Sequence, residues 1–129
     1  KLIVKKLKKL NKIVNEIFNQ LDEIRQIAMN LNEEKENGGV EKSENGKTEQ
    51  QDELTKKIEF MESEWEKINQ KTSFYLEHDE LEKVNSSMVK FKSYFELEEY
   101  TDAIPELENC KYILKHIQDK ESMNPINLF

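Results

Sequence analysis

A single cysteine, Cys110, leaves no internal disulfide and no cysteine-based zinc site of the usual kind. Two prolines and three glycines leave room for few tight turns, and the glycines all fall between positions 38 and 46. The long helical stretches therefore contain no glycine nest that could cradle a phosphate. No apolar run approaches the roughly 20 residues that span a bilayer. Alternating apolar and polar residues, the mark of a half-buried strand, persist nowhere. Acid is also missing from one end, since no Asp or Glu precedes Glu16.

What the chain does have is helical periodicity. Ile3, Leu7, Leu10, Val14, Ile17, Leu21, Ile24, Ala28 and Leu31 recur at alternating steps of four and three. An α-helix places such a series on one stripe, which must meet another helix. Ile13, Phe18 and Ile27 widen that stripe beyond a two-stranded seam, as expected of a helix packed against two neighbours. The spacing predicts a helix over 2–31, with the seam buried inside a bundle or in a homodimer.

The stretch 33–50 is rich in Glu, Lys, Asn and Gly and reads as a polar connection. Thr48-Glu49-Gln50-Gln51 has the form of a capping box, and a helix is expected over about 49–76 with Leu54, Ile58, Met61, Trp65 and Ile68 on its stripe. The register then breaks. Asp79-Glu80-Leu81-Glu82 predicts a new helix capped by Asp79 over about 79–97, with Leu81, Val84, Met88, Phe91 and Phe95 on its stripe. A fourth helix is expected over about 101–120, capped by Thr101, with Pro105 in its first turn and Ala103, Leu107, Cys110, Leu114 and Ile117 on its stripe. Asn124-Pro125 ends it, leaving a tail over 122–129. The expected fold is one all-α domain, an antiparallel bundle of about four helices with a long first helix.

The formal charge of −7 argues against general affinity for nucleic acid or an anionic membrane. Its distribution is uneven, because Lys1, Lys5, Lys6, Lys8, Lys9 and Lys12 form a wholly basic end. That end either solubilises the helix or contacts lipid head groups beside a membrane. No Glu-x-x-His pair, His-Glu-x-x-His motif or calcium loop occurs. The candidate metal ligands are His78, Asp79 and His116, and successive residues such as Glu77 to Glu80 rarely converge on one ion. Ser86, Ser87, Ser93 and Ser122 have no evident base, and Cys110 sits on an apolar stripe, so no enzymatic role and no cofactor is expected. The aromatics read as core at helical spacing, with a hydrophobic-ligand pocket as the alternative.

Trp65, His78-Asp79-Glu80-Leu81, Lys92-Ser93-Tyr94, Asp102-Ala103, Glu106-Leu107 and Leu114-Lys115-His116-Ile117 follow in order. This series resembles the domain-of-unknown-function family 4363, small proteins of Gram-positive bacteria. The resemblance covers about 54–121 together with the character of the first helix. It implies an exported or membrane-anchored helical domain and supplies no site residues. The leading expectation is a non-enzymatic interaction domain, tethered outside the cytoplasm through a segment preceding Lys1 and working by protein contact or self-association. The alternatives are a bundle binding metal or a small ligand through His78, His116 and nearby carboxylates, and a cytoplasmic scaffold whose basic end meets a membrane or polyanion.

Overall fold

A computed structural model describes residues 2–38, 48–69 and 76–123, with the side chains of 2–4, 6, 7 and 121–123 outside that description. Four helices follow in order: α1 (Leu2–Glu36), α2 (Glu49–Asn69), α3 (His78–Glu96) and α4 (Tyr100–Met123). There is no strand among the described residues.

The heptad stripe of α1 is the wall on which the rest is built. Leu10, Val14, Ile17, Leu21, Ile24, Ala28 and Leu31 are all buried, joined by the flanking Ile13 and Ile27. Burying each large apolar side chain stabilises the fold by roughly 1.5–3 kcal/mol. The chain's own α2 and α4 pack against α1, and α3 packs against α4. From Leu10 to Leu31 the seam is therefore filled within one molecule. Ile3 and Leu7, the first members of the predicted stripe, lie outside the described side chains.

Side-chain pairs fix an up-down-up-down arrangement. Across α1 and α4, Asn15 pairs with Gln118, Asp22 with Lys111, Arg25 with Glu108 and Asn32 with Thr101. Each step forward along α1 is matched by an equal step back along α4, so the two run antiparallel in one register. Glu23 with Lys57 and Glu34 with Gln50 set α2 antiparallel to α1. Between α2 and α3 the contact is made by long side chains: the buried Trp65 indole donates to Asn85 Oδ1 at 2.6 Å, and Lys92 meets Glu62 at 3.1 Å. Phe91 and Phe95 stack edge-to-face at 6.1 Å, and Phe95 leans on Tyr100 at 6.2 Å.

Three helix ends differ from expectation. α1 continues past Leu31 through the helix-forming Glu33–Glu36 and stops where Gly38 takes a φ of 98°. Its last turn is held because Lys35 donates to the Glu98 carbonyl at 2.8 Å. α3 starts at His78, with Glu77 in the extended cap position, so Asp79 does not cap. Asp79 and Glu80 lie in the first turn and meet the positive end of the helix dipole. α4 starts at Tyr100, one residue early, because the Tyr100 ring is buried. Thr101 is thus helical and donates to Asn32, and Pro105 lies beyond the first turn. The missing Pro105 N–H leaves the carbonyl of the exposed Thr101 to water. The predicted helical residues 70–75, including Thr72, Phe74 and Tyr75, and most of the 33–50 connection and 122–129 tail lie outside the described residues.

The capping box at α2 forms in full: Gln51 N–H donates to Thr48 Oγ1 at 3.1 Å, and Thr48 N–H donates to Gln51 Oε1 at 2.8 Å. Two alanine substitutions separate a true cap from an apparent one. Thr48→Ala is expected to lower stability in urea unfolding by about 1 kcal/mol, whereas Asp79→Ala, which loses only a dipole contact, is expected to cost less than about half of that.

Candidate functional site

The histidines come first, because they are the strongest ligands in the sequence. His78, on the first turn of α3, is 83% exposed and lies 3.5 Å from Glu82 one turn on. Asp79 beside it is exposed. His116 is exposed on α4, in a shallow open groove shared with Phe18, Glu108, Tyr112 and Asp119. No group of three His, Cys, Asp or Glu among the described residues could hold a metal ion. The fold does not gather His78, Asp79 and His116 into such a set.

What organises that end of the bundle is a lysine. Lys120 Nζ donates to Glu77 at 2.7 Å and to Glu80 at 3.0 Å, clamping the last turns of α4 to the start of α3. Its two carboxylate partners push the Lys120 ammonium above its ordinary range, and Lys120 in turn holds Glu77 below the usual carboxylate range. Glu80 is largely buried, so Lys120 also offsets the cost of desolvating that carboxylate. The clamp was not legible from spacing, because its members are 40 and 43 residues apart.

A second polar cluster closes the other end. Gln51 donates to Glu98 Oε1 and, at 3.0 Å, to the Tyr100 hydroxyl. Glu98 sits at a φ of 56°, a left-handed conformation that costs a side-chain-bearing residue about 1–2 kcal/mol. Gln51 on its side chain and Lys35 on its carbonyl hold it there. Burial pushes the Tyr100 phenol up, so the Tyr100 hydroxyl stays protonated. These groups are committed to one another by hydrogen bonds.

The buried polar atoms in the core have the same character. Ser87, 2% exposed, donates to the Glu106 carbonyl at 3.0 Å and lies against the Cys110 thiol. Cys110 is fully buried. Desolvation pushes its thiol up to about 12, so thiolate chemistry is suppressed at neutral pH. Ser87 and Cys110 are two hydrogen-bonding groups with no general base between them.

The remaining predicted seam residues are structural. Leu10, Val14, Ile17, Leu21, Ile24, Trp65, Phe91, Leu107 and Leu114 are buried in one continuous core, while Leu7 lies outside the described side chains. Some apolar side chains stay outside that core: Phe60 on α2 is 45% exposed, and Tyr112 on α4 is 66% exposed.

Charge is unevenly distributed along the bundle axis. The end formed by the α1–α2 and α3–α4 connections carries exposed Glu33, Glu36, Glu49, Glu96, Glu99 and Asp102. At the opposite end, the α1–α4 register places Met123 opposite Leu10. The α1–α2 pairs place Asn69 opposite the stretch 11–15. The first turns of α1 therefore run past the described ends of the other three helices; Lys5, Lys8 and Lys9 there and Lys12 at the boundary are exposed, and exposed Glu77, Asp79, Glu82 and Asp119 lie at the same end of α3 and α4.

These features define a small antiparallel helical-bundle protein. Residues 3–128 match the family described as "Domain of unknown function (DUF4363)", and the chain belongs to that family. The match covers α1, the polar connection and the tail, well beyond the 54–121 stretch on which the resemblance was read. No curated protein and no solved structure matches the chain.

Burial of Cys110 has a pH signature. Stability contributed by the protonated thiol is fully present below about pH 9 and is lost as pH rises through about 12, because the unfolded chain ionises first. Native protein is expected to leave Cys110 unlabelled by a thiol-specific reagent at pH 8, with stoichiometric labelling only in denaturant. Urea midpoints of the wild type should fall above pH 9 more steeply than those of Cys110→Ala.

Proposed function

We propose that this chain is a non-enzymatic interaction domain held at a membrane surface through its N-terminal side, working by protein–protein contact. The observation that carries the reading is the overrun of α1. Among the described residues α1 alone extends past its neighbours, and that stretch carries exposed lysines and no acid. A helix that is both the spine of the core and the exit from it transmits position rigidly, as a stalk does. The α1–α4 groove offers a contact face, where the exposed Tyr112 stands beside half-buried Phe18. Aromatic side chains at such positions are typical anchors of protein interfaces.

The resemblance read from the sequence favours the outer side of the membrane. A second reading puts the domain on the inner face, and the lysines favour it, because basic residues flanking a membrane segment are retained on the cytoplasmic side. Both readings tether the same end.

Fractionation of cells producing the natural full-length protein tests the tether. The protein is expected to pellet with membranes after an alkaline wash, and digestion by external protease in intact protoplasts separates the outer from the inner face. Recovery in the soluble fraction would refute the tether. A photo-crosslinking residue at position 112 is expected to yield a discrete adduct in those cells, and its absence would count against the α1–α4 groove as the contact face.

A further inference from the structure

The overrunning stretch of α1 has a geometry of its own. At 100° per residue, Lys5, Lys8, Lys9 and Lys12 fall within an arc of about 100°, spread over about 10 Å of helix. The buried Leu10, Val14 and Ile17 project from the opposite side of the same helix. The lysines thus form one exposed stripe facing away from the bundle, bounded by the exposed Glu16 one turn beyond Lys12. The exposed acids of the far end, such as Glu33 and Glu36, lie about 36 Å further along α1. That separation is several times the roughly 8 Å over which charge is felt at physiological salt.

We infer that the Lys5, Lys8, Lys9 and Lys12 stripe docks on the anionic head groups of a lipid bilayer, with the acidic end of the bundle directed away from the surface. The inference deepens the membrane reading above and rests on it, naming the lipid charge that the stalk meets. Charge complementarity selects this partner. A cationic stripe along one face of a helix suits a flat anionic surface, and the acidic far end of the bundle is repelled by it. The competing occupant is the acidic end of a second copy. The net charge of −7 opposes approach to a second copy and to an anionic bilayer alike, so the local charge of the stripe, felt over about one Debye length, decides the docking.

The test uses the 129-residue chain with vesicles of phosphatidylcholine alone or doped with phosphatidylglycerol, sedimented at low and high salt. Binding is expected only with phosphatidylglycerol and should fall steeply with salt. Each lysine near an anionic surface strengthens binding by about fivefold, so K5Q/K8Q/K9Q/K12Q should lose at least about a hundredfold. Helical circular dichroism of that variant should be unchanged, because its four substitutions are exposed and glutamine supports a helix. E33Q/E36Q/E49Q, at the far end, should leave the lysine-dependent binding within about twofold.

Absence of binding to anionic vesicles, or equal binding by the glutamine variant, overturns the inference. So does a light-scattering mass that drops from dimer to monomer in the glutamine variant, which would assign the stripe to a second copy. Failure here is distinct from failure of the tether. A protein that resists alkaline extraction in cells while its soluble chain ignores anionic vesicles is anchored without the lysine contact.

Discussion

Desolvation of one helical stripe governs this molecule. From Leu10 to Leu31, α1 presents a continuous apolar wall too wide for a single partner and too long for any one of the shorter helices to outrun. The chain meets that demand by laying α2 along one flank and α4 along the other, with α3 completing the bundle through α4 and the side chains of α2. Everything polar is arranged around this burial. The ion pairs across α1 and α4 are exposed, and such pairs are individually worth little. Their constant register shows their use: they select one sliding position of α4 on α1 where the apolar stripes alone would tolerate several.

The two ends of the bundle follow from the same constraint. Where helices terminate, backbone groups and charged side chains must be satisfied without an apolar wall to help. At one end Lys120 ties α4 to the start of α3. At the other, Gln51 serves twice, closing its own capping box and reaching Glu98 and Tyr100 on the far side of the bundle. Glu98 tolerates a left-handed backbone because both its side chain and its carbonyl are held. The Ser87–Cys110 contact, which on a sequence list looks like two nucleophiles, is a buried neutral pair.

The stripes of all four helices were legible because burial imposes a period that the sequence must carry. The Thr48–Gln51 capping box was legible because it is local. What failed was local pattern read without tertiary context. Asp79 has the look of a cap, yet the chain is already helical at His78, where Lys120 draws Glu77 and Glu80 together. Thr101 has the same look, but burial of Tyr100 starts α4 a residue earlier and moves Pro105 out of the first turn. The candidate ligands His78, Asp79 and His116 could be named from composition, but their separation could not, since it depends on how α4 lies against α3. The basic end was plain in the sequence. That it overruns the bundle required the register of α4 on α1.

The account rests on α1 being at once the shared core element and, in its first turns, an exit from the core. Amide hydrogen exchange read residue by residue along α1 tests both parts together. Amides from Leu10 to Leu31 are expected to exchange only by global unfolding, with protection matching the stability measured in denaturant, while those before Lys8 exchange orders of magnitude faster. Protection that is uniform over the whole of α1, or weaker in α1 than in α3, would contradict it.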